Sequence, residues 1–177
     1  MIERIFQDLD ECILHTFVND VPYDGMEYVE FIVSDDMHTY RSMIRPCAKE
    51  LFQYYNNVVG KDNVYILTTA TREYAEALNR LGEFGLDVDH IFTREDIQEY
   101  SVCARSEFAH IDDKKPLAIA GPNNVLIDNL PSYLNKEKMS MMGITKENYH
   151  QTPEYYGSNL NERYFMEDIK EFIKARQ

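Results

Sequence analysis

Three short strand-like runs, each closed by polar residues, constrain this chain most. Ile2 to Phe6 leads into Gln7-Asp8-Leu9-Asp10, Val64 to Leu67 into Thr68-Thr69, and Asn124 to Ile127 into Asp128-Asn129. Short apolar runs bounded by turn residues read as buried strands. The step from Asp8 to Thr68, and again from Thr68 to Asp128, is 60 residues, which leaves room for the crossover helices that parallel strands require. Carboxyl ends of parallel strands open on the same side of a sheet, where α/β proteins build their sites. The pattern therefore predicts a mostly parallel α/β sheet with Asp8, Asp10, Thr68, Asp128 and Asn129 along one edge.

The remaining segments fit that frame. Residues 27–44 read as a hairpin insertion, Glu27 to Val33 and Thr39 to Ile44 around the turn-like Ser34-Asp35-Asp36-Met37-His38. Arg45-Pro46 opens a helix whose apolar stripe is Leu51, Phe52, Tyr55, Val58 and Val59, with Gly60 as its stop. Thr68 or Thr69 is the expected cap of a helix over 71–83. Asp89 to Phe92 reads as a further strand, residues 95–123 give no clear pattern, and residues 163–176 read as a docked amphipathic helix. The expectation is a single domain over 1–177.

Asp8 and Asp10 lie two positions apart, so strand alternation predicts that they share a face. Two carboxylates about 4 Å apart repel by roughly 4 kcal/mol at an effective dielectric of about 20. A cation between them, or a proton on one, relieves this. The net charge of −13 argues against a long nucleic acid as a partner. A small phosphorylated substrate stays open, because a divalent ion reverses the local sign. Cys12, Cys47 and Cys103 show neither disulfide nor zinc spacing, so a cytoplasmic setting is expected. No secretory leader and no membrane span is expected.

The ordered motifs resemble the haloacid dehalogenase superfamily. Within it they resemble the NLI-interacting-factor-like small phosphatases that act on the C-terminal domain of RNA polymerase II. DLDECILHT at 8–16 resembles the opening motif, and FIVSDDMHTYRSMIRPCAKELFQYY at 31–55 the hairpin and Arg-Pro helix start. VYILTTATREYAEAL at 64–78 resembles the second motif and VLIDNLPSYL at 125–134 the third. The resemblance implies a Rossmannoid three-layer sandwich with a small hairpin insertion and no large cap. It also implies a phosphatase dependent on Mg²⁺.

The chemistry assigns roles within that resemblance. A carboxylate nucleophile splits hydrolysis into two steps through an aspartyl-phosphate, and Asp8 fits by position. Asp10 fits the acid that protonates the leaving oxygen and then activates water. The family places Mg²⁺ on the Asp8 side chain, the Asp10 backbone carbonyl and Asp128, with Asn129 holding it directly or through water. Thr68 is expected to donate to the phosphoryl group, with Thr69 beside it. The family's lysine corresponds to Lys115, or to its neighbour Lys114. Arg72 is a further phosphate contact or a helix-surface arginine. Cys12, where the family has Thr or Val, is expected to pack beneath the loop, and His15 to pack or cap after it. The expected substrate is a phosphoprotein segment, a nucleotide or a small phosphomonoester. A polynucleotide-end phosphatase and a non-catalytic module with this fold are the alternatives.

Overall fold

The computed structural model describes residues 1–22, 25–103, 123–129, 145, 147–157 and 162–177. Among them, five strands form a parallel sheet in the order β6-β5-β1-β7-β8. These are β1 (Arg4–Gln7), β5 (Val64–Leu67), β6 (Ile91–Phe92), β7 (Asn124–Asp128) and β8 (Tyr149–Gln151). The three runs expected from sequence are its centre. β1 is flanked by β5, with Gln7 opposite Ile66, and by β7, with Gln7 opposite Ile127.

Parallel neighbours in register point to the same face. Ile5, Val64 and Val125 therefore share one side, and all three are almost fully buried. This side joins a core with the apolar faces of three helices: α1 (Ala48–Val59), α2 (Arg72–Leu81) and α4 (Glu162–Lys174). From α4 come Phe165, Met166, Ile169 and Ile173, all buried. Each contributes roughly 1.5–3 kcal/mol of burial. On the other side Phe6 stacks on Tyr65 with ring centroids 4.8 Å apart.

A second sheet is inserted after β1. It is antiparallel, in the order β2-β4-β3: β2 (Leu14–Val18), β4 (Thr39–Ile44) and β3 (Val29–Ile32). The expected hairpin is thus two strands of a three-stranded sheet. β2 adds to it because Leu14 to Val18 pairs residue by residue with Ile44 to Tyr40. The helix after Arg45-Pro46 starts at Ala48, and Gly60, at φ +84°, ends it with its N–H on Asn56 O (3.0 Å). Neither Thr68 nor Thr69 caps α2, because Thr71 is the residue that precedes its first turn. The unpatterned region contributes α3 (Arg94–Cys103), and the strand expected over 89–92 is shortened to β6 by a 3₁₀ turn at Val88–His90.

Arg45 ties β4 to α4. It is 4% exposed, with its guanidinium carbon 4.6 Å from the centre of the Tyr155 ring and 3.7 Å from that of Phe165. Cys47 Sγ donates to Glu162 Oε2 (2.8 Å). Burial, and then Glu162, push this thiol well above its ordinary value, so it is an inert packing group.

Candidate active site

β1 ends at Gln7, so Asp8 and Asp10 lie beyond the strand and a turn, rather than strand alternation, orients them. The Leu9 carbonyl accepts from Cys12 N (3.2 Å), Ile13 N (3.0 Å) and Leu14 N (3.3 Å), while Glu11 takes φ 59°. This tight loop rests on a buried polar group. Tyr55 Oη donates to Gln7 Oε1 (2.7 Å). Gln7 Nε2 donates to Asp8 O (2.8 Å) and to Cys12 Sγ (3.0 Å), and Cys12 Sγ lies 3.2 Å from Thr152 Oγ1. Cys12 is completely buried, as its expected packing role requires.

The register brings the strand ends together. The next step after Gln7, Ile66 and Ile127 levels Asp8 with Leu67 and Asp128, and Asp8 N donates to Ile127 O (2.9 Å). Asp8, Thr68, Asp128 and Asn129 are all buried. Thr68 N donates to Phe92 O (3.0 Å), and its Oγ1 accepts from Ala70 N (3.1 Å), which fixes the hydroxyl just past β5. Asp128 O accepts from Thr152 N (2.8 Å).

Asn129 reaches back to the first motif. One terminal atom of its carboxamide stands 3.0 Å from Asp8 Oδ2 and 3.3 Å from Asp10 O. With nitrogen there, it donates to both. With oxygen there, a carboxylate oxygen and a backbone carbonyl lie within 3.3 Å of a carboxamide oxygen, donor types suited to a hard divalent cation. Among the described residues no three His, Cys, Asp or Glu side chains form a metal cage. A set built from one carboxylate, one backbone carbonyl and one carboxamide agrees with that, because Mg²⁺ keeps several of its waters. The residues present therefore fit the ion.

Asp10 faces a cleft of about 450 Å³ between the second sheet and the start of α2, walled also by Thr16, Tyr40, Tyr74, Asp36 and Arg94. Tyr74 Oη donates to Asp10 Oδ1 (2.5 Å) and lies 2.7 Å from Thr16 Oγ1. Burial, then the Asp10 charge, hold the Tyr74 phenol well above its ordinary value. Burial and the bond to Asp36 push Tyr40 up to about 12. Arg94 Nε donates to Thr69 O (2.9 Å). The structure directs Arg72 to α3, where it pairs with Asp96 Oδ2 (2.6 Å). His15 packs edge-on against Phe17 and Tyr156. Lys114 and Lys115 lie outside the described residues. Sequence reasoning gave no role to Gln7, Tyr40 or Arg94, and it took Tyr74 only as part of a motif. Their signal is contact across the fold, which no local pattern carries.

A parallel sheet with a buried aspartate after its central strand, answered by Thr68 and Asp128-Asn129 on the neighbouring strands, defines the haloacid dehalogenase-like class. The sequence profile of the NLI interacting factor-like phosphatases matches residues 5–175, and the chain belongs to that family. Two solved structures share its fold. One is Fcp1, described as an essential RNA polymerase II CTD phosphatase, with a TM-score of 0.55 and 16% identity over 99% of this chain and 49% of that one. The other is an arginine-to-alanine variant of fission yeast RNA polymerase II CTD phosphatase Fcp1 bound to beryllium fluoride. It has a TM-score of 0.55 and 15% identity over 99% of this chain and 52% of that one. The chain thus spans about half the length of these structures. No curated protein sequence matches it.

Proposed function

We propose that this chain hydrolyses phosphate monoesters through an aspartyl-phosphate on Asp8. The observation that carries the reading is that β7 ends with Asp128 beside Asp8, whose N–H bonds Ile127 O, and that Asn129 just beyond reaches to 3.0 Å from Asp8 Oδ2. In the first step an Asp8 oxygen attacks phosphorus, the bond to the leaving oxygen breaks, and Asp10 gives that oxygen its proton. In the second, water attacks the phosphorus of the aspartyl-phosphate. Asp10 takes a proton from it, and inorganic phosphate leaves with Asp8 restored. The Thr68 hydroxyl donates to a phosphoryl oxygen.

Asp8, Asp10 O, Asp128 and Asn129 are the residues that would hold Mg²⁺, and the bound ion supplies positive charge against the phosphoryl oxygens. Lys115, or Lys114, is the proposed cation beside the nucleophile. The open, partly aromatic cleft supports a phosphorylated protein segment as substrate, with nucleotides and small phosphomonoesters as the competing class. The buried thiols of Cys12 and Cys47 support a reducing, cytoplasmic setting.

Turnover of p-nitrophenyl phosphate with and without Mg²⁺, against an Asp8→Asn control, tests the reaction. The expected result is Mg²⁺-dependent turnover that the control lacks. Equal rates in both proteins would refute it. Phosphopeptides set against mononucleotides then decide the substrate class.

A further inference from the structure

Asp10 does not stand alone at the mouth of the site. Its Oδ1 receives the Tyr74 hydroxyl at 2.5 Å. Thr16 Oγ1 lies 2.7 Å from that hydroxyl and 2.6 Å from Ser42 Oγ. Three separate elements supply these groups: Tyr74 comes from the first turn of α2, Thr16 from β2 and Ser42 from β4. Thr16 and Ser42 are direct partners in the sheet register. The Tyr74 ring is 6% exposed and packs against Phe31 and Tyr40, with centroids 5.6 and 5.3 Å away. Its hydroxyl therefore has little freedom to move.

The direction of the chain follows from counting protons. A phenol has one hydrogen, and here it goes to Asp10. Tyr74 can then only accept, from Thr16 or from Ser42, both of which reach its hydroxyl and which bond each other. The hydroxyl cluster thus donates through Tyr74 to Asp10, and each bond polarises the next.

We infer that Tyr74 is a positioning residue for Asp10: with one carboxyl oxygen pinned by a phenol that two strands hold in place, the proton donor keeps a single pose at the wall of the cleft. This rests on the reading of Asp10 as the acid that protonates the leaving oxygen. Thr16 and Tyr74 line the same cleft as Asp10.

The proposal makes the defect depend on the leaving group. p-Nitrophenolate departs with little help from an acid, whereas phenolate needs a proton as its bond to phosphorus breaks. A merely structural role for Tyr74 would slow both substrates alike. The experiment compares kcat/KM for phenyl phosphate and p-nitrophenyl phosphate, with Mg²⁺, in the full chain and in Tyr74→Phe, Thr16→Val and Asp10→Asn. kcat/KM reports phosphoryl transfer to the enzyme and not the later attack of water.

The proposal expects Tyr74→Phe to lose at least about tenfold on phenyl phosphate and less than about threefold on p-nitrophenyl phosphate, against the roughly 10²–10⁴-fold that an acid supplies. Thr16→Val, which keeps Tyr74 and removes one of the two hydroxyls behind it, should show the same bias to a smaller extent. It also provides the test if Tyr74→Phe does not fold, as judged by circular dichroism. Equal losses on the two substrates, or no loss, in the folded variants would overturn the proposal. If Asp10→Asn itself loses both substrates equally, or the parent chain turns over neither, the underlying reading of Asp10 fails and the proposal falls with it.

Discussion

Removal of one hydroxyl beneath the loop that carries Asp8 and Asp10 should be felt throughout the domain. Tyr55 and Gln7 are both completely buried, and the phenol donates to Gln7 Oε1 at 2.7 Å. Tyr55→Phe keeps the ring and leaves that oxygen without its donor. An orphaned buried polar group costs about 1–3 kcal/mol. In a chain of this size each kcal/mol lowers Tm by about 2–4 °C, so a fall of roughly 2–12 °C is expected. Urea unfolding with an unchanged m-value is the assay. The decisive form is a cycle with Gln7→Met, which preserves the volume. Gln7→Met alone orphans the Tyr55 hydroxyl and removes the donor to Asp8 O, but the double variant has no mismatched pair at Tyr55. It should cost less than the sum of the single variants by at least about 0.5 kcal/mol. A Tyr55→Phe loss below about 0.5 kcal/mol together with strict additivity would refute the reasoning. Since Gln7 also bonds Asp8 O and Cys12 Sγ, kcat/KM should fall in the same variants.

Gly157→Ala should destabilise the chain. Gly157 has φ +81°, and an added Cβ would fall on Met43 Cε. The backbone cost of about 1–2 kcal/mol should persist in a Met43→Ala background while the steric part disappears, and equal losses in both backgrounds would contradict this. His150 should make stability fall with acid. Burial outweighs Asp168, while Arg176 adds to the burial, and together they hold its pKa below 6.5. The unfolded chain then takes up the proton first. His150 stabilises fully above about pH 6.5, and the benefit is lost as pH falls through the lowered folded value. Melting curves from pH 7.5 to about pH 5 should fall more steeply for the parent than for His150→Gln, and parallel falls would refute this.

The centre of the sheet was legible because strands buried on both faces read as continuous apolar runs. β1, β5 and β7 are of that kind, and their ends carry the polar residues that identify the fold. β2 was not legible. Leu14-His15-Thr16-Phe17-Val18 is half polar, sits directly after the aspartate motif, and becomes a strand through its pairing with β4. β8 is a polar three-residue edge that exists only by its register with β7. The site divides in the same way. Asp8, Thr68 and Asp128 announce themselves by position after a strand. The Tyr74 contact with Asp10 spans 64 residues and that of Tyr55 with Gln7 spans 48, so both depend on the folded arrangement. Thr68 lies just past its strand as expected, but the residue next to the helix is Thr71 and neither Thr68 nor Thr69, since a threonine in a strand-to-helix turn suits several positions.

Transfer of a phosphoryl group to Asp8 can be read directly. The protein is mixed with p-nitrophenyl phosphate and Mg²⁺ and quenched in acid during turnover, and the site of any added phosphate is located by peptide mass spectrometry. The account predicts an acyl phosphate on Asp8, absent from Asp8→Asn, that disappears when turnover runs to completion. Phosphate on any other side chain, or steady turnover by Asp8→Asn, would contradict it.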